Sequence, residues 1–233
     1  MFNKAAIAVT LLVVASPLSA QGITGGTLGV EVDAQSDLSD LGGTTYFGGL
    51  EYAINRDFAI AADVSTYSFD SLADDATSAT VHGIYHLSDS ASVGLFYGQD
   101  WTNGSSANVY GLEGGTEFMG GTVEGFVGMV DGETDATIFG VDGNYDWNDA
   151  ISFTGSAAFG DYEDGNSSLF SIGASYTIAN GPDLYAEIGS ASAESGGISD
   201  SDTFIGVGAR INFGAARGTT FDQRSLFEIL PQF

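Results

Sequence analysis

Residues 206–213 read GVGARINF. Val207, Ala209, Ile211 and Phe213 alternate with Gly206, Gly208, Arg210 and Asn212, a period of two that specifies a strand with one apolar and one polar face. Whether the apolar face meets a protein core or lipid decides the fold.

Working outward, period-two segments follow one another from Thr27 with almost no helical periodicity between them. Twelve are read: 27–35, 44–54, 58–69, 79–87, 91–101, 107–118, 121–130, 136–147, 150–160, 168–178, 183–193 and 203–213. Most are near the roughly 9–11 residues a tilted strand needs to cross a bilayer. Tight turns at Asn55–Asp57, Ser88–Ser90, Met119–Gly120, Asn148–Asp149 and Ala179–Pro182 alternate with polar, acidic loops at 36–43, 70–78, 102–106, 131–135, 161–167 and 194–202. Short turns on one rim and longer loops on the other describe an up-and-down transmembrane barrel. An even strand count brings both chain ends to the short-turn rim.

The strands before the short turns end alike. Tyr52, Tyr85, Phe118, Tyr145, Trp147, Tyr176 and Phe213 fall at one height on the apolar face and predict an aromatic girdle where hydrocarbon meets water. Rows such as Phe58, Ile60, Ala62 and Val64 carry no charge. The opposite rows are glycine, serine, alanine and a few carboxylates, unlike the lysine-rich faces that guard solvated sheets. A soluble β-sandwich would pack the apolar rows against a second sheet. The fold expected here is all-β, an antiparallel up-and-down transmembrane β-barrel of about twelve strands, with its apolar rows turned to lipid.

Composition narrows the partners. Thirty-one acidic residues against five basic ones give a net charge of −26, which repels nucleic acid and permits cations or a surface bridged by divalent ions, such as lipopolysaccharide. There is no cysteine, so disulfides contribute nothing, and 34 glycines exclude a helical bundle. Lys4, the apolar run Ala5–Ala15 and the small residues up to Ala20 have the layout of a secretory signal peptide. The expected division is a signal peptide over 1–20, a barrel over 21–213 and a tail over 214–233.

GVGARINF also resembles the closing strand of Gram-negative outer-membrane porins, and the acidic, glycine-rich hairpins resemble those of alphaproteobacterial porins. The resemblance implies passive diffusion of small solutes across the outer membrane, and recognition of the last strand, with its terminal aromatic Phe213, by the assembly machinery. The chain departs from general porins of that group in its lower strand count, its short third long loop and a single inward basic residue, Arg210.

Inward rows collect Glu31, Asp33, Glu51, Asp63, Glu113, Glu117, Glu124, Asp142 and Glu187, which with His82, His86 and Arg210 are expected to line a pore. Clustered carboxylates in a narrow tube concentrate cations and repel anions, so a cation-preferring diffusion channel is expected. Phe47, Phe96, Phe126, Tyr185 and Phe204 also point inward and can narrow it. Two alternatives stand beside it: a closed barrel with a structural or adhesive surface role, and a soluble sandwich binding divalent cations.

His82 and His86 lie four apart on one strand, roughly 13 Å, too far to share a metal. DGETDA (131–136) and DYEDGNSS (161–168) lack the ligand spacing of an EF-hand loop. No nucleophile has a base beside it in the pattern, so no enzyme, metal or cofactor is expected. In the tail, Thr220 and Gln223 form a capping box for a helix over 221–230 that Pro231 would end, with Leu226, Phe227 and Leu230 on one apolar stripe. Arg217 and Arg224 sit in the same stretch. So many large apolar groups predict docking: in the lumen against its acidic wall, on the assembly machinery, on the membrane surface or on a periplasmic partner.

Overall fold

The computed structural model describes residues 22–35, 42–69, 75–163, 165–179, 181–214 and 219–229. The expected signal peptide, 1–20, lies outside them, as do Arg217, Leu230 and Pro231. Twelve strands are present: β1 (Gly22–Gln35), β2 (Gly43–Ala53), β3 (Phe58–Phe69), β4 (Ala76–Ser88), β5 (Ala91–Trp101), β6 (Ser106–Phe118), β7 (Gly121–Asp131), β8 (Ala136–Asn148), β9 (Ile151–Tyr162), β10 (Gly165–Thr177), β11 (Asp183–Ser195) and β12 (Ile198–Gly214). Each pairs antiparallel with the next, and β12 returns to β1 from Gly25↔Gly214 to Gln35↔Phe204. One sheet closes on itself, so every strand has two partners and no edge is left. That closure excludes the sandwich, which needs a second sheet.

The apolar rows cover the outside. Leu95, Leu112 and Ile172 at mid-strand are each more than half exposed, and Tyr52, Tyr85, Tyr145, Trp147 and Tyr176 project outward near the short-turn rim, with Phe118 beside them. Phe213 faces outward too, its ring lying over the paired Gly26, where a Cβ would collide with it. The same device recurs inside. Phe47, Phe96, Phe126, Tyr185 and Phe204 each stand directly across from a glycine (Gly29, Gly111, Gly140, Gly208 and Gly189) and lay their rings over it. A large ring and a bare backbone together fill one cross-strand site, which flattens aromatics against the wall instead of projecting them across the bore.

Two expected loops are not loops. Residues 161–167 and 194–202 are largely strand, leaving connections of two residues, 163–164 and 196–197. Gly196 and Gly197 have φ of 59° and 81°, the left-handed pair of a tight hairpin turn. The adjoining serines pair across the ladder, as in the 2.9 Å Ser168–Ser192 hydrogen bond. Hydrophilic stretches that look like solvated loops extend the sheet here because both neighbours supply matching backbone.

The tail contains one helical turn, α1 (Leu226–Ile229), rather than the expected helix over 221–230. Ser225, not Thr220, caps it: the Ser225 hydroxyl accepts from Phe227 N at 3.2 Å and its carbonyl from Ile229 N at 2.9 Å. Residues 219–225 are non-helical because their polar groups are taken by the barrel wall.

Candidate functional site

β12 delivers the chain to the short-turn rim, and residues 219–229 then turn back into the lumen and run along the inner wall of β2–β8. Thr220 N donates to Glu51 Oε2 at 2.7 Å near the start of this path. Phe221 is fully buried against Ala59, Ala61 and Ile84, and its ring stacks near His82. Gln223 Nε2 donates to Ser65 Oγ at 2.9 Å. Further along, Asp100 accepts from Ser225 Oγ at 3.2 Å and from Leu226 N at 2.7 Å. Phe227 meets the ring of Tyr67, and Ile229 closes over Val109, Val130, Ala136 and Ile138 towards the other rim.

At the centre is Arg224, only 2 % exposed. Its Nε lies 3.2 Å from Glu113 Oε2, Nη2 3.2 Å from Glu124 Oε2 and Nη1 3.5 Å from Asp142 Oδ2, while the guanidinium stands 4.6 Å over the ring of Phe126. Burial alone disfavours its charge, but Glu124, Glu113 and Asp142 outweigh burial and raise its pKa above the ordinary guanidinium value. His82 stands behind this group, with Nδ1 2.6 Å from Glu113 Oε1 and Nε2 3.2 Å from Asp63 Oδ2. An imidazole facing a carboxylate on each nitrogen donates to both when it carries its second proton. Glu113 is thereby shared between a guanidinium and an imidazole.

The other side of the lumen stays open. A cavity of about 1600 Å³ is bounded by Glu31, Asp33, Glu187, Tyr185 and Arg210 from β1, β11 and β12, and by the serines and threonines of β9 and β10. Its lining reaches from Gly120, Asn148 and Thr177 on the short-turn rim to Gln35, Thr44, Thr102 and Ala193 on the opposite one. Arg210 keeps to the wall, 3.7 Å from Asp183 and 5.5 Å from the Tyr185 ring centre.

The twelve residues expected to line a pore all face inward, but they separate into groups. Glu31, Asp33, Glu117, Glu187 and Arg210 border the cavity, and Glu124, Asp142 and Asp63 border it while meeting Arg224 or His82. Glu51, His82 and Glu113 are corrected: they lie beneath the tail, because its polar groups replace the water expected there. His86 stays near the short-turn rim, bonded to Ser92 Oγ at 2.8 Å. Sequence reasoning missed Asp100, whose parity with Phe96 on β5 was the available signal, and left the inward use of Arg224 as one of four places open to the tail. It placed Phe96 and Phe126 inward but missed Val109, Val130 and Ile138, which with them form an apolar patch that faces the lumen and receives α1. Among the described residues, no group of three or more His, Asp or Glu is arranged to hold a metal.

No family model matches the chain, and no curated protein matches it. Solved structures do. The NanC porin superposes with a TM-score of 0.60 at 9 % identity, covering 78 % of this chain and 98 % of that one. The KdgM porin gives 0.58 at 11 %, covering 79 % and 97 %. An outer-membrane channel from Pseudomonas putida F1 gives 0.58 at 11 %, covering 86 % and 100 %. These neighbours are outer-membrane porin and channel barrels; at such identities the likeness is one of fold.

Proposed function

We propose that the protein is an outer-membrane channel of porin type that passes small solutes by passive diffusion and prefers cations. The observation that carries this is a closed barrel, apolar outside, whose acid-lined cavity of about 1600 Å³ runs from one rim to the other. Backbone in hydrocarbon must be paired internally, and a closed sheet satisfies that requirement. Export by the segment 1–20, insertion through the strand ending at Phe213, contact with lipopolysaccharide and kinship with alphaproteobacterial porins belong to the same proposal. It includes no catalytic step and no cofactor. The KdgM porin has also been solved in complex with disordered oligogalacturonate. That ligand bears carboxylates, and the acidic lumen of this chain would repel it, so it is not carried over.

Purified protein in planar bilayers is expected to give discrete conductance steps, with a reversal potential displaced towards potassium in a potassium chloride gradient. Silent bilayers refute the channel, and displacement towards chloride refutes the preference. The tail inside the bore favours a second reading, a closed barrel with a structural or adhesive surface role. Silent bilayers together with recovery in the outer-membrane fraction would select it.

A further inference from the structure

The tail has two faces of opposite character. Arg224, Ser225 and Phe221 turn to the wall of β2–β8, where Glu113, Glu124, Asp142 and Asp100 take up their charge and hydrogen bonds. Asp222 and Glu228 both reach the cavity, which Thr219, Thr220 and Gln223 also line. Asp222 lies beside Glu124, while Glu228 shares a hydrogen bond with Tyr67 and has its pKa pushed up to about 8 by desolvation inside the barrel and by Asp222. The only described cation of the tail is thus spent on the wall, while the Asp222 carboxylate is delivered to the water. Across the cavity stand Glu31, Asp33 and Glu187.

We propose that residues 219–229 are a permanent inner wall of the passage and that Asp222 is a specificity-determining residue, which makes the path acidic on both sides and selects small cations over anions. The assignment rests on the channel proposed above. A plug meant to leave would not need a polar face built for the passage. The tail instead narrows the bore and supplies an inward constriction carrying charge.

The charge on the tail is tested directly. A monovalent ion about 5 Å from one carboxylate in water-like surroundings is enriched roughly fourfold. The variant Asp222→Asn is therefore expected to lower the potassium-to-chloride permeability ratio about fourfold or more, with conductance steps still present. Asp89→Asn, on an exposed turn, serves as the control and leaves the ratio unchanged. An unchanged ratio in Asp222→Asn overturns the assignment while leaving the channel standing.

A second measurement does not need conduction. The chain has no cysteine, so single cysteines report cleanly. Asp222→Cys should react about tenfold faster with a cationic thiosulfonate than with an anionic one of equal size. Ile229→Cys, buried in the native fold, should be protected from both. Equal rates at position 222, or rapid labelling at 229, would overturn the inner wall even if bilayers were silent. Silent bilayers with the expected labelling pattern would instead fault the channel and its selectivity while upholding the position of the tail.

Discussion

Replacing Arg224 by methionine isolates the force that holds the tail. The substitution keeps most of the stem over Phe126 and removes the charge that meets Glu113, Glu124 and Asp142 at 3.2, 3.2 and 3.5 Å. Deleting one member of a buried ion pair costs about 3–5 kcal/mol, because the remaining charge is stranded. Three carboxylates are stranded here, but they regain water if the tail leaves, so the penalty falls on docking and not on the barrel. At about 1.4 kcal/mol per decade, the docking equilibrium shifts by roughly 100- to 3000-fold. The assay is the labelling rate of Ile229→Cys, in the background of Arg224→Met and of native Arg224, with barrel integrity followed by heat-resistant migration. Exposed Arg56, 3.3 Å from Asp89 on the short-turn rim, provides the comparison: Arg56→Met should leave labelling unchanged, since such surface pairs contribute about 0–1 kcal/mol. A labelling rate that Arg224→Met leaves unaltered would refute the idea that this cation anchors the tail.

Other outcomes follow from the same geometry. Leu112→Arg, placing charge outside at mid-strand, should destabilise the barrel in vesicles by about 2–4 kcal/mol in a urea titration, whereas inward Ser156→Arg should cost much less. Equal costs would deny a lipid-facing exterior. Raising salt from about 0.1 M to 1 M shortens the screening length from about 10 Å to 3 Å, so the cation preference should fall steeply in reversal-potential measurements. A preference independent of salt would point to sieving by shape. Met119 holds a left-handed φ of 51° in the turn between β6 and β7, and Met119→Asn should raise stability by about 1 kcal/mol, measured by the same titration.

The barrel was legible because its code is local: a period of two repeated twelve times, aromatic pairs at strand ends, and charge confined to one face. The ring residues Phe47, Phe96, Phe126, Tyr185 and Phe204 could be assigned inward from parity alone, and the glycines opposite them could not, since register between strands is not written in either strand. The extensions of β10 and β12 were illegible for a related reason. Ser167 and Ser199 have the composition of a loop, and only a partner strand turns such a segment into ladder. The tail was legible as something that docks, from Leu226, Phe227 and the arginines. Its place was not, because Arg224 and Glu113 are 111 residues apart and any acidic surface satisfies a guanidinium on paper.

The route of the tail also bears on how the closed sheet resists opening. A cylinder of this kind is stitched sideways by hydrogen bonds alone, and its one seam without a hairpin is the meeting of the first strand with the last. Thr220 and Gln223, beyond β12 in the chain, are gripped by Glu51 on β2 and Ser65 on β3, on the far side of that seam. Prising β1 from β12 therefore requires the grip to be released as well. The same segment that narrows the hole acts as a clasp on the cylinder, so whatever loosens one loosens the other.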